Sequence, residues 1–252
     1  RGLLDHCKAL IERGANPDAR PPTDDDRTPR LIGHGSANLK LRDYFKTVGL
    51  FLGRFRIVPG PPIHCSPTAV VAKANDVTTG ASAAIKLFSD APQWRRETAA
   101  RADNALDELY VVSSARAEEI DPNDTTLRAL KTSLKGVRLG EFIIVMPAAD
   151  RNLQDIFQKE RPGLDFIREM VREVIQCLAH VHEKGLSHGD IKMNNVVRVD
   201  EKLRLIDLDA VAKLDSVASF IGAKFSSAVL PPEMLHRLRD DEELRLFEDY
   251  WR

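Results

Sequence analysis

Residues His188 to Asn195 read HGDIKMNN, and downstream the run LRLID ends on Asp207. Asp190, Lys192, Asn195 and Asp207 supply a carboxylate, an ammonium, a carboxamide and a second carboxylate. Phosphoryl transfer needs such a set. It takes a carboxylate to orient the acceptor hydroxyl, a cation near the moving group, and oxygen ligands for magnesium. Asp190 can do the first job, Lys192 the second, and the pair Asn195 and Asp207 the third.

Elements on either side must bring these groups together. Asp165 to Lys184 is apolar at helical spacing (Phe166, Met170, Val174, Leu178, Val181), and Gly185 closes it. VVRV and LRLID read as two strands joined at Asp200-Glu201-Lys202. A hairpin of that kind folds Asn195 and Asp207 back toward one cation. Upstream, FRIV, TAVVAKAND, SAAIKLF and LGEFIIVMP read as strands. Turns are expected at Pro59-Gly60-Pro61-Pro62 and Thr79-Gly80. Pro92 falls in the first turn of a helix predicted over QWRRETAARADNALDEL. Strands first and helices later predict an α+β chain of two lobes.

These motifs together resemble the protein kinase family. The catalytic-loop pattern H-R-D-L-K-x-x-N is similar to His188-Gly189-Asp190-Ile191-Lys192-Met193-Asn194-Asn195, and D-F-G to Asp207-Leu208-Asp209. Ala83-Ala84-Ile85-Lys86 resembles the strand V-A-I-K, and Pro231-Pro232-Glu233 resembles A-P-E. Four elements in the right order over residues 55–235 make the resemblance specific. It implies ATP and Mg2+ as cofactors, a protein substrate phosphorylated on Ser or Thr, and catalytic roles for Asp190 and Lys192. Lys86, held by a glutamate, would position the ATP phosphates, and Asn195 and Asp207 would hold magnesium. Glu97 and Glu108 face one way on the predicted helix, about 16 Å apart; Glu97, in the context WRRE, is nearer the family pattern. Met146 would be the gatekeeper, with Pro147, Ala148 and Ala149 as the hinge that holds adenine.

The sequence also departs from the family. The glycine-rich loop should lie in HCSPTAVV, where His64, Ser66 and Ala69 stand at the expected glycines and Pro67 lacks an N–H donor. Weaker nucleotide binding is expected. Gly189 replaces the arginine that many kinases pair with a phosphorylated activation segment. Asp209 replaces the glycine after Asp207, as a further metal ligand or as a stiffener of the turn. Ser216, Ser219, Ser226 and Ser227 are candidate phosphosites or solvated serines. The chain stops nineteen residues after Glu233, so the helical C-lobe is expected to be incomplete.

Residues 3–13 are apolar at helical spacing, Gly14 stops the run, and ANPDAR and RTPRL follow. This resembles the end of one ankyrin repeat and the start of the next, and implies a partner-binding array cut from a longer chain. The expected domains are an ankyrin-like remnant over 1–33, a linker helix within 34–54, and a kinase-like domain over 55–252. The N-lobe would run to about 147 and the partial C-lobe from about 148.

Lys plus Arg number 37 and Asp plus Glu 38, leaving a net charge of −1. That balance offers no footprint for nucleic acid or an anionic membrane. The single acidic triplet, Asp24-Asp25-Asp26, reads as a solvated loop. Three dispersed cysteines without a CxxC suit a reducing, intracellular and cytoplasmic setting. Cys177, His180, His182 and His188 do not share one helix face, so a zinc site is disfavoured. Two alternatives to a protein kinase stay open. A pseudokinase scaffold would explain the poor glycine loop. A small-molecule kinase of the aminoglycoside or choline type would explain HGD and IDLD, but not Lys192 or PPE.

Overall fold

The computed structural model describes residues 2–17, 19, 28–122, 124, 126–127, 130 and 139–214. The acidic triplet, Ser216, Ser219, Ser226, Ser227, Pro231-Pro232-Glu233 and the C-terminal segment after them lie outside the described residues. The chain divides into two compact units, Arg1–Asp90 with Ala115–Ala148, and Ala91–Ser114 with Ala149–Arg252.

The first unit opens with helices α1 (Gly2–Glu12), α2 (Pro29–His34) and α3 (Leu39–Thr47). Gly14, at φ +92°, turns the chain out of α1 as expected. Thr28 caps α2 by accepting from the Leu31 N–H at 3.3 Å, and Pro29 fills its first position. Leu41, Phe45 and Val48 pack with Leu4, Cys7 and Ile11. The buried Arg30 donates to the Phe45 and Val48 carbonyls at 2.6 and 2.7 Å, satisfying groups at the C-terminal end of α3. The linker helix, Leu39–Thr47, is shorter than the 34–54 segment expected to form it. It stops at Thr47, where Gly49 turns at φ +69°, and Leu50 and Phe51 are buried.

The sheet of this unit contains β1 (Phe55–Ile57), β2 (His64–Cys65), β3 (Ala69–Asp76), β4 (Ser82–Phe88), β5 (Arg116–Glu119) and β6 (Phe142–Pro147). Its order is β1-β3-β4-β6-β5, with β2 also paired to β3, and these neighbours pair antiparallel. Residues 58–63 leave the edge between β1 and β2, and the Val58 and Ile63 N–H groups rejoin β3 at Lys73 O and Val71 O. Three of those six residues are proline, which suits an edge that meets no outer strand among the described residues. Val70, Ile85, Leu87, Ile143 and Val145 are buried at the centre of the core. This core fixes the register that sets Lys86 opposite Val71 and Ile144.

The second unit begins with α4 (Ala91–Asp103). The predicted division at about 147 would have placed this helix with the first unit. Ala100 instead joins the second core with Val111, Met170, Cys177, Val181, Leu205 and Leu208. The helix is also shorter than expected. Ala105 takes a positive φ of +47°, and the Asp107 N–H donates to His180 Nε2 at 2.9 Å, so Glu108 is not on α4. β7 (Arg151–Asn152) leads into a helical turn, Leu153–Asp155, and then α5 (Leu164–Glu183). Met170, Cys177 and Val181 are the buried residues of α5, whereas Phe166, expected on that face, is exposed in the first turn. β8 (Leu186–Ser187), β9 (Val196–Val199), β10 (Lys202–Leu205) and β11 (Ala212–Lys213) follow. β10-β9-β7 form one sheet and β11-β8 another. Asp200 and Glu201 both have positive φ, the backbone that a two-residue hairpin turn requires. No helix among the described residues is long and apolar enough to cross a membrane.

Candidate active site

The loop after β8 is built around a buried histidine. His188 Nε2 lies 2.9 Å from the Ile206 carbonyl, which can only accept, so that nitrogen carries the proton. His188 Nδ1 then accepts from the Asp190 N–H at 3.4 Å. A second link runs from the Ile206 N–H to the Asn195 carbonyl at 3.0 Å. These bonds tie the loop at both ends to the residue before Asp207.

Inside the loop, Asp190 Oδ2 accepts from Lys192 Nζ at 2.8 Å and from Asn195 Nδ2 at 3.0 Å. Asn195 Nδ2 also donates to the Asp190 carbonyl at 2.8 Å. Asp190 and Asn195 are buried, and Lys192 is half-buried. Asp190 therefore has a defined orientation beside a cation. Both donor hydrogens of Asn195 serve Asp190, which leaves Asn195 Oδ1 as its acceptor. Asp207 sits in the left-handed region at φ +67°. Asn195 Oδ1 and the Asp207 carboxylate are hard oxygen donors, a chemistry that fits Mg2+.

α4 belongs to the same unit and meets the residues after Asp207. Gln93 Nε2 donates to Asp209 Oδ2 at 2.5 Å, and Arg96 Nε donates to the Asp209 carbonyl at 3.2 Å. Glu97 is fully buried and pairs with Arg101 at 3.0 Å. Burial lowers the Arg101 pKa, opposed by the charges of Glu97 and Asp207.

In the first unit, Lys86 is buried in β4 with Nζ 4.7 Å from the Phe88 ring centroid. Met146 is buried in β6 opposite Ala84. The Ala148 N–H donates to the Ser82 carbonyl at 3.1 Å, so that donor is already engaged within the unit. His64, Ser66 and Ala69 lie on a tight hairpin between β2 and β3. The Ser66 N–H donates to Ala69 O at 2.9 Å, and the Ala69 N–H donates to Ser66 Oγ at 3.0 Å. Pro67 has no N–H, and the Thr68 carbonyl accepts from the Ser89 N–H at 2.8 Å. The hairpin is thus closed on itself and anchored to the end of β4.

The family model for the protein kinase domain matches residues 67–251. The chain belongs to the protein kinase family. Human mitogen-activated protein kinase 12 is 26% identical over 162 residues, 62% of this chain and 41% of that protein. CBL-interacting protein kinase 22 of Oryza sativa is 24% identical over 244 residues, 88% of this chain and 49% of that protein. Serine/threonine-protein kinase PknG of Mycolicibacterium smegmatis is 38% identical over 81 residues, 32% of this chain and 10% of that protein. The chain spans less than half the length of each of these relatives.

Two departures of this kinase domain acquire physical reasons. Gly189 has φ +78°, and a Cβ there would stand 2.2 Å from the Ala210 carbonyl oxygen. The backbone of this loop admits only glycine, whatever an arginine would do for regulation. Asp209 is buried against Gln93, which gives its carboxylate a hydrogen-bonding role in holding α4. Sequence reasoning missed Gln93, Arg96 and Arg101; their α4 positions were readable, but their partners lie more than a hundred residues away or depend on burial. The alternative zinc ligands have separate partners: Cys177 Sγ donates to Leu203 O, His180 stacks on Tyr110, and His188 bonds Ile206.

Gly189→Arg is expected to destabilise the second unit by about 2–4 kcal/mol, because strain at positive φ adds to overpacking. Urea denaturation measures it, and Gly189→Ala should account for most of the loss. Burial lowers the His188 pKa from the usual 6.5, outweighing the backbone bond to Ile206 and the nearby carboxylates. Protons then bind the unfolded chain in preference, so the stability due to neutral His188 is present above about pH 6.5 and is lost as pH falls through that value toward the folded pKa. The thermal midpoint should fall in that window, and His188→Gln should flatten the dependence.

Proposed function

We propose that this domain transfers the γ-phosphoryl group of ATP to a Ser or Thr hydroxyl of a protein substrate. The observation that carries the reading is the Asp190–Lys192–Asn195 hydrogen-bonded set, joined through Ile206 to Asp207. Asp190 would orient the acceptor hydroxyl and accept its proton. Lys192, beside it, would stabilise charge on the moving phosphoryl group. Lys86 would hold the ATP phosphates, with Glu97 as its helix partner, and Met146 with the Pro147 and Ala148 carbonyls would border the adenine. Asn195 and Asp207 would hold Mg2+, which when bound neutralises phosphate charge. Lys192 two residues after Asp190 supports Ser/Thr rather than Tyr specificity, as do the serine/threonine-protein kinase names among its relatives.

One observation favours a second reading, a catalytically weak pseudokinase scaffold. The Ser66–Ala69 hairpin uses its own N–H groups internally, so His64, Ser66 and Ala69 would be a poor phosphate cradle. A small-molecule kinase is the third reading, and the Gln93 partner of Asp209 supports it least. The three N-terminal helices are compatible with the ankyrin-like reading and its partner surface. The free thiols Cys7, Cys65 and Cys177 support an intracellular setting.

Phosphate transfer from ATP to Ser/Thr peptides by the full-length protein tests the reading. Asp190→Ala should lower the rate by about 10²–10⁴. Activity no greater than that of this variant would favour the scaffold. ATP titration should show weaker binding than ordinary protein kinases achieve, and Pro67→Gly should tighten it by restoring a donor.

A further inference from the structure

We propose that Asp209 is a positioning residue that clamps α4 onto the Asp207 turn through Gln93 and Arg96, and so sets Glu97 without a phosphorylated activation segment. For its kinetic part this rests on the phosphotransfer reading above.

Three observations converge. The Asp209 carboxylate is buried and accepts from the buried Gln93 amide, while its carbonyl accepts from Arg96. Two elements over a hundred residues apart in sequence are thus bound by a side chain on each side and by backbone. Gln93 and Glu97 are four residues apart on α4, on one face, so fixing Gln93 also fixes the rotation of the helix that aims Glu97. Glu97 is then braced by Arg101 on the next turn, which also feels the charge of Asp207. The third observation concerns the other side of the same turn. Ala210, next to Asp209, presses its carbonyl on Gly189, where the loop has no room for a side chain. The residue that could read a phosphate from this position is sterically excluded, and the carboxylate that holds α4 directly stands two residues after Asp207.

A buried carboxylate needs strong partners, because its desolvation is otherwise costly. The Gln93 amide supplies one and makes the pair geometrically specific. Asn at 209 would keep an acceptor oxygen for Gln93, whereas Gly would remove it. A metal ligand would respond differently, since Asn is a poorer ligand for a divalent cation than a carboxylate.

The experiment compares the full-length protein with Asp209→Asn, Asp209→Gly, Gln93→Leu and the double variant Gln93→Leu/Asp209→Gly. Amide hydrogen exchange across residues 91–103, without nucleotide, is expected to quicken about tenfold in Asp209→Gly and in Gln93→Leu. The double variant should be no faster than either single one, and Asp209→Asn should stay near the parent. The rate constant kcat should fall about tenfold in the same variants, with KM for the peptide and the Mg2+ requirement of Asp209→Asn unchanged. Additive exchange in the double variant, or Asp209→Asn as fast as Asp209→Gly, overturns the clamp. A raised Mg2+ requirement in Asp209→Asn assigns the carboxylate to the cation and overturns it as well. A parent protein with no phosphotransfer overturns the functional reading instead, and the exchange comparison still decides the clamp.

Discussion

The pairing of His188 with the Ile206 backbone is the constraint on which the catalytic loop depends. A neutral, buried imidazole donates to Ile206 and accepts from the Asp190 N–H, so one ring spans the loop and the strand that precedes Asp207. The Ile206 N–H returns a bond to Asn195. Asp190, Asn195 and Asp207 are thereby positioned by backbone groups rather than by their own flexible side chains. Lys192 and Asn195 then orient the Asp190 carboxylate from two sides. Charged hydrogen bonds in a water-poor loop are stronger than their exposed equivalents, which keeps the set rigid.

The same economy of space explains the loop's unusual residues. The chain passes so close to Ala210 that Gly189 cannot carry a Cβ. The turn that makes this contact also exposes Asp209 to α4, where Gln93 and Arg96 meet it. The glycine and the aspartate look like unrelated departures in sequence, yet they are two sides of one turn. In the first unit, by contrast, the loop that family resemblance assigns to phosphate is a closed hairpin. Ser66 and Ala69 satisfy each other, and Ser89 holds the tip. The two units thus treat polar groups differently, one arranging a chemically equipped loop and the other closing its turn.

Much of the fold was legible because hydrophobic periodicity reports burial directly. The strands around Lys86, Met146 and Val196, and the helix ending at Glu183, all form at the predicted positions within a few residues. β5 was not legible. RAEE has neither alternation nor β-branched residues, and it becomes a strand because β6 offers it a partner edge. Glu108 was placed on α4 because its spacing matched, but Ala105 breaks the helix and His180 captures the Asp107 backbone. Phe166 had the right period for α5 and the wrong location, ahead of the first buried turn.

By itself the sequence determined the order of elements, the loop carrying Asp190, Lys192 and Asn195, and the family. Those features follow from local spacing, which survives in one dimension. Only the tertiary structure decided why residue 189 is glycine, which way the Asp209 carboxylate is engaged, and whether Ser66 and Ala69 leave donors for phosphate. Each of those outcomes depends on an atom from a distant or folded-back segment: Ala210 O, Gln93 Nε2 and the opposing strand of a hairpin. Polar groups acquire their chemistry from partners and burial, and neither is set until the chain has closed around them.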